Sequence, residues 1–265
     1  MRQTKRTKQD TTEGCISEPC FAESEQKELS LENRLEKSGS PCVLAETPHY
    51  LVVYKPPLLH SVPLRKSKDQ TLLCWCAERF PELMQVKGRN PWEGGVLHRL
   101  DYETRGLILC ARNQRTFEAL AAQQKAGLFT KQYRAVSANT EVALLPGFPP
   151  RPPAASPPFM LKSAFRAYGK GRQTVRPLTA STVPDNLYTT TIVECLECGA
   201  TVQWTVQITQ GFRHQIRCHL SWLGYPLLND SLYGGKEADG TLELCAESLS
   251  FFEPFSGEPV QWSIS

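Results

Sequence analysis

Seven of the thirteen residues from Pro146 to Pro158 are proline. Proline fixes φ and carries no N–H, so PGFPPRPPAASPP is barred from helix and from the hydrogen-bonded interior of a sheet, and is expected as a stiff surface loop. Regular structure must be sought on either side of it. Upstream, YLVVY at 50–54 is a short apolar run ending at Lys55-Pro56-Pro57, the pattern of a buried strand stopped by proline. Asp69 is placed to cap a helix in which Leu72, Leu73, Cys76 and Phe80 keep helical spacing and which ends at Pro81. GLILCA at 106–111 predicts a second strand, Asn113 a cap for a helix carrying Phe117, Leu120 and Ala121 as far as Gly127, and KQYRAV at 131–136 a third strand. Downstream, 187–194 and 201–208 read as a hairpin turning near Cys198-Gly199, with Val202, Trp204, Val206 and Ile208 alternating onto one face. Ile216, Leu220 and Leu223 mark the apolar face of a helix from near Arg213 to Gly224. Adjacent strands with helices interspersed, and no solenoid-type repeat, imply an α+β fold.

Residues 1–40 differ from this pattern. They are polar, show little apolar periodicity beyond a weak helical signal near Leu29 to Leu35, and carry 7 Lys/Arg against 8 Asp/Glu. They are expected as a mobile tail preceding one domain over 41–265. The net charge of +3 is too small to announce a nucleic-acid partner, but the excess belongs to the body, with 23 Lys/Arg against 19 Asp/Glu. The longest apolar runs fall far short of the roughly 20 residues that span a bilayer, and MRQTKRTKQD is followed by no apolar signal core. A cytoplasmic monomer is expected. The ten cysteines then read as reduced thiols. Cys195 and Cys198 form the one pair at metal-ligand spacing, and no convincing second pair accompanies them.

Chemistry is concentrated in two blocks. HRLD at 98–101 lies between the Gly94-Gly95 turn and the strand at 106, which sets Asp101 in a loop at a strand end, a common place for a catalytic side chain. By itself the tetrapeptide reads equally well as an Arg99–Asp101 salt bridge. HRLDYETRGLILCARN, taken with GFRHQIRCHLSWLGYPLLNDSLYGG at 211–235, resembles the RluA family of RNA pseudouridine synthases. LVVYKPPLLHSVP at 51–63, KQYRAV, and LCAESLSFFEPFSGEPV at 244–260 extend the resemblance over 41–265. It implies a mixed, largely antiparallel bent sheet with flanking helices and a catalytic cleft across it. It also implies an enzyme without metal or cofactor that isomerises uridine to pseudouridine in rRNA or tRNA.

On the resemblance Asp101 aligns with the aspartate that initiates catalysis, Tyr133 with the tyrosine that packs on the target base, and Arg217 with the arginine that pairs with the aspartate. Physical chemistry supports each role. Breaking N1–C1′ and joining C5 to C1′ needs no redox partner, and a carboxylate can act as nucleophile at C1′ or as base at C2′. Desolvation favours a neutral Asp101, and a paired guanidinium offsets this. Tyr133 offers an apolar ring for uracil and a hydroxyl able to assist removal of the C5 proton. Lys162, Arg166, Lys170, Arg172 and Arg176 form a run of cations without an acid, interleaved with Phe165 and Tyr168, and are the expected phosphate contacts. Arg99, Arg105, Arg213 and His214, within the two blocks, are expected to touch RNA as well.

Several positions depart from the family pattern. Arg105 stands where serine is usual, Phe212-Arg213 replaces Arg-Thr, Leu58 and Asn229 occupy glycine positions, and Cys245 replaces a histidine. The first two bear on substrate contacts and the rest on local loop geometry. No RNA-binding module of the S4 type is evident in residues 1–40, so targeting is expected to rest on the catalytic domain. A scaffold that binds RNA without chemistry is the rival reading, and the joint presence of Asp101, Tyr133 and Arg217 argues against it.

Overall fold

The computed structural model describes residues 30–64, 69–153, 155–179 and 187–265. Among them ten strands form one sheet: β1 (Cys42–Glu46), β2 (Tyr50–Lys55), β3 (Arg105–Ala111), β4 (Thr130–Ala138), β5 (Phe159–Tyr168), β6 (Thr174–Leu178), β7 (Tyr188–Cys198), β8 (Thr201–Ile208), β9 (Leu244–Phe252) and β10 (Pro259–Ser263). They run in the order β1-β2-β3-β9-β4-β8-β7-β5-β6, with β10 on β9. Every pairing is antiparallel except β3 with β9, which meet in parallel where Arg105 and Gly106 face Cys245 and Ala246. Gly106 makes that approach possible. Its φ is +122°, and a Cβ there would stand 2.3 Å from the Ala246 carbonyl oxygen.

The continuous apolar runs at 50–54 and 107–111 are strands buried on both faces, which is why they do not alternate with polar residues. Leu51, Val53, Ile108 and Cys110 point into one core with helix α2 (Leu72–Arg79) and helix α4 (Gln215–Leu223). Tyr50, Val52, Tyr54, Leu107 and Leu109 point into the other, against helix α1 (Leu31–Ser38) and helix α3 (Gln114–Lys125). The expected hairpin is β7–β8, and Val202, Trp204, Val206 and Ile208 are its buried face. Asn113 caps α3 through its side-chain oxygen, 2.9 Å from the Thr116 amide.

Three expectations shift. The cap of α2 is Thr71, whose hydroxyl accepts from the Cys74 amide at 3.2 Å, instead of Asp69. The domain takes in residues expected in the tail: Ser30 caps α1, Gly39 ends it with φ +60°, and Leu35 is buried in the core. The rest of the expected tail, residues 1–29, lies outside the described residues. Finally, α4 begins at Gln215 and has no solvent face, being buried from end to end. Its polar side chains are bonded internally, as burial requires: Gln215 to Thr189 and Thr190, His219 to Ser163 and Thr190, and Ser221 to the Tyr233 carbonyl.

The proline-rich segment has no helix or strand among its described residues and is fastened to the body by its carbonyls. Trp222 donates to those of Pro149 and Pro150, Arg176 to that of Pro146. No helix among the described residues is long and apolar enough to cross a membrane.

Candidate active site

A cleft of about 970 Å³ opens between the 98–104 loop, β4, and the turn from β8 into α4. Asp101, Tyr133 and Arg217 all line it, as do Arg99, Arg213 and His214. The loop bearing Asp101 is clamped on both sides of that residue. Ser61 Oγ donates to the Leu100 carbonyl at 2.9 Å and accepts from the Leu100 amide at 3.0 Å. The Tyr102 carbonyl accepts from the Leu59 amide at 3.2 Å and from Lys55 Nζ at 3.3 Å. Lys55 is wholly buried and also donates to the carbonyls of Pro56 and Leu59, at 2.9 and 2.8 Å. Burial pulls its pKa down to about 7, against the pull of Asp101 and Glu103.

Arg217 is the electrostatic centre, and its main partner is not the one expected. Nε and Nη2 hold both oxygens of Asp230 at 2.8 Å in a two-bond fork, with both side chains buried. Nη1 is left for the cleft, 3.6 Å from Asp101 Oδ2 and 3.3 Å from Glu103 Oε2. Asp101 thus meets the guanidinium through one nitrogen, at ion-pair rather than hydrogen-bond distance. Its carboxyl pKa is raised: desolvation outweighs the lowering by Arg217, and Glu103 adds to the rise while Lys55 opposes it.

Tyr133 projects from β4 on the same face as Lys131 and Ala135, beside an irregularity in the β4–β9 register at Gln132/Tyr133. Such breaks in pairing re-aim side chains next to sites. Burial and the charge of Asp101 push its hydroxyl pKa up, so the phenol stays protonated at neutral pH. The ring is better suited to packing on a base than the oxygen is to taking a proton. His214 sits at φ +57° at the start of α4, its Nδ1 3.1 Å from the Tyr233 hydroxyl. That oxygen accepts from the Val175 amide at 2.9 Å, which leaves its hydrogen for His214 Nδ1. Burial, with Arg217 and Arg213 nearby, lowers the His214 pKa to about 4, so the ring is neutral.

The other expected contacts divide. Arg99 bridges Glu93 at 2.9 Å, and the Arg99–Asp101 bridge is not made. Arg105 turns away from the cleft into a buried set with Glu36 at 2.6 Å, Glu243 at 3.3 Å and the Leu242 carbonyl at 3.2 Å. It fastens α1 to the sheet and is out of reach of a substrate in the cleft. Arg176 is buried too, stacked on Phe148 and Tyr168. Lys162, Arg166, Lys170 and Arg172 are exposed. Of these, Arg166 and Arg172 join Phe165, Phe212 and Arg213 in lining a shallow groove that shares Phe212 and Arg213 with the cleft. Phe212 and Phe165 stack there at 5.0 Å and 8°.

Residues 49–222 match the RNA pseudouridylate synthase family. The chain belongs to that family. It is 34% identical over 237 residues to ribosomal large subunit pseudouridine synthase D of Xanthomonas campestris, with 83% of this chain and 64% of that protein covered. Against the dual-specificity RNA pseudouridine synthase RluA of Vibrio vulnificus it is 30% identical over 227 residues, covering 81% of this chain and 78% of the relative. The fold matches human RNA pseudouridylate synthase domain containing 1, with TM-score 0.57, 23% identity and coverage of 85% and 83%.

Within this pseudouridylate synthase fold, Lys55, Ser61, Glu103 and Asp230 are among the site residues that went unassigned in the sequence. Each lies inside a segment that carries the family resemblance, and Asp230 follows Arg217 by thirteen positions. Leu58 and Asn229 keep left-handed backbone, with φ +59° and +62°. Asn229 offsets the strain by donating to the Thr241 carbonyl at 2.9 Å and accepting from the Ala238 amide at 2.7 Å.

Proposed function

We propose that this protein isomerises specific uridines in structured rRNA or tRNA to pseudouridine, with Asp101 opening the reaction. The observation that carries the reading is one carboxylate, raised in pKa by desolvation, facing the one nitrogen of a buried guanidinium that Asp230 leaves to the cleft. The target nucleotide enters unstacked from its neighbours, at a cost of a few kcal/mol that unpaired loops reduce. Ionised Asp101 then attacks C1′ or removes the hydrogen on C2′ as N1–C1′ breaks. The freed uracil turns against the Tyr133 ring, C5 bonds to C1′ as the Asp101–C1′ ester bond breaks or as the C2′ proton is returned, the C5 proton leaves and N1 ends protonated. Arg217 contributes by favouring the ionised carboxylate without binding it so closely that its oxygens are occupied.

The exposed cations Arg166, Arg172 and Arg213 supply phosphate contacts along the groove beside the cleft. The protein acts as a cytoplasmic monomer, and sizing by light scattering tests the second term. Mapping pseudouridines in total RNA with and without the protein tests activity and identifies the target together. Absence of any protein-dependent site, with the fold intact, leaves a scaffold that binds RNA without chemistry.

A further inference from the structure

Elsewhere in the cleft, donors on Lys131, Gln124 and His98 lack an acceptor among the described residues. Lys131, on the strand that carries Tyr133, is 95% buried and lines the cleft, yet no carboxylate or carbonyl partner meets its ammonium among the described residues. Its Nζ lies 3.1 Å from where a Cβ on Gly211 would sit, so only the absence of a side chain there keeps the approach open. Gln124 lines the same wall. Its Oε1 is taken by Arg89 while its buried Nε2 has no partner. His98 is the fourth member. Its Nε2 accepts from the Leu109 amide at 3.3 Å, so Nδ1 carries the hydrogen, and that nitrogen is buried without a partner.

Uncompensated burial of such groups costs free energy, and an ordered cluster of them marks a place where an acceptor is missing. An anion suits this place, because buried Lys131 and the exposed Arg89, which already donates to Gln124, are both cations, and Gln124 Nε2 and His98 Nδ1 are donors. Burial and the nearby Arg89 pull the Lys131 pKa down to about 8, so the ammonium persists at neutral pH and gains from an incoming negative charge.

We infer that Lys131, Arg89, Gln124 and His98 form a phosphate site that holds a backbone phosphodiester of the RNA next to the nucleotide at Asp101. This rests on the reading that the cleft takes RNA. Lys131 and Tyr133 share one face of one strand, so a phosphate held by the first fixes the distance at which a base meets the second. The anchor sets register rather than sequence, since phosphate contacts position without reading bases.

Two variants of the full chain test it. Lys131→Met keeps the apolar stem and removes the charge, and Gln124→Glu supplies a resident carboxylate that fills the site. Both should weaken binding of a single-stranded oligouridylate by roughly tenfold or more and flatten its salt dependence by about 0.7 in log–log slope, the signature of one lost contact. Gln124→Glu should raise the melting temperature while it does so, which separates loss of the site from loss of the fold. In the unmodified chain, inorganic phosphate should raise the midpoint at which the carbon next to Lys131 Nζ titrates by NMR. Wild-type affinity and slope in both variants overturn the assignment, as does a Lys131 midpoint indifferent to phosphate. If phosphate moves the midpoint while oligouridylate binds all forms alike, the anion site stands and RNA is overturned as its ligand. Binding that behaves as expected without any pseudouridine formed refutes the activity and leaves the phosphate site intact.

Discussion

Asp230→Asn tests how Arg217, and through it the charge of Asp101, is held in place. The substitution preserves side-chain shape and removes the charge that holds two of the three guanidinium nitrogens of Arg217. Both partners are buried, at 2% and 0% side-chain exposure. Removing one member of such a pair costs about 3–5 kcal/mol, because the other is left buried with its charge uncompensated. Asparagine retains one acceptor, which places the expected loss near 3 kcal/mol. For a domain of this size each kcal/mol moves the melting temperature by about 2–4 °C, so a fall of roughly 6–12 °C is expected. The chemistry should suffer separately. Arg217 is then left with Asp101 and Glu103, at 3.6 and 3.3 Å, and should swing toward them. An ångström of misplacement at a reacting group costs on the order of a hundredfold in rate. Thermal melts and single-turnover rates at saturating RNA measure the two effects. If Asp230→Asn melts within about 2 °C of wild type and reacts at the wild-type rate, the fork does not position Arg217, and the account of the site is wrong. Arg217→Lys should fail similarly, since one ammonium cannot span both oxygens of Asp230 while reaching Asp101.

Asp101→Asn should abolish pseudouridine formation yet leave the melting temperature unchanged or higher; a marked loss of stability would contradict this. The sign follows from linkage: the folded pKa is raised, so the native state binds more protons than the unfolded one above the ordinary carboxyl pKa, and stability falls as pH rises through that window. For the same reason the acid limb of the single-turnover rate should lie above the ordinary carboxyl range, and an acid limb at or below it would count against Asp101 as the titrating group. Replacing Lys170 and Arg172 by Ala should lower the salt slope of RNA binding by about 1.4 if both meet phosphates, and an unchanged slope moves the RNA path off this edge of the sheet. Gly106→Ala should cost at least about 2 kcal/mol in urea unfolding, because its Cβ collides with the Ala246 carbonyl at the parallel β3–β9 contact.

The sheet was legible where apolar periodicity is local: the runs at 50–54 and 106–111, and the alternation at 201–208. The cap at Thr71 was missed because Asp69 is the stronger capping residue by type, and only the backbone decides which side chain faces the first free amide. Helix α1 was assigned to a tail because it is mostly polar and charged, with Leu35 its one buried residue. It is held by charge instead, with Glu36 on Arg105 and Glu32 on Arg134. That pairing also explains why Arg105, a departure within a catalytic motif, belongs to the scaffold. Strand alternation sends its side chain to the face opposite the cleft, a placement that the tetrapeptide HRLD does not encode.

Asp101 and Arg217 were legible as candidates that meet in one cleft, but their relation was not, and the difference bears on the proposed chemistry. An arginine bound by its full fork to Asp101 would lower that carboxyl's pKa and occupy both oxygens, leaving a well-ionised but poorly available group. With the fork on Asp230, Asp101 feels the guanidinium at 3.6 Å and keeps its oxygens free. Its charge is then set by a balance in which desolvation and Glu103 raise the pKa while Arg217 and Lys55 lower it. Glu103 therefore competes with Asp101 for the same nitrogen. Neutralising Glu103 as Gln should shift the acid limb of the rate downward and release more of Arg217 to Asp101. An acid limb that stays in place in Glu103→Gln would show that Glu103 has no part in setting the charge of the carboxylate.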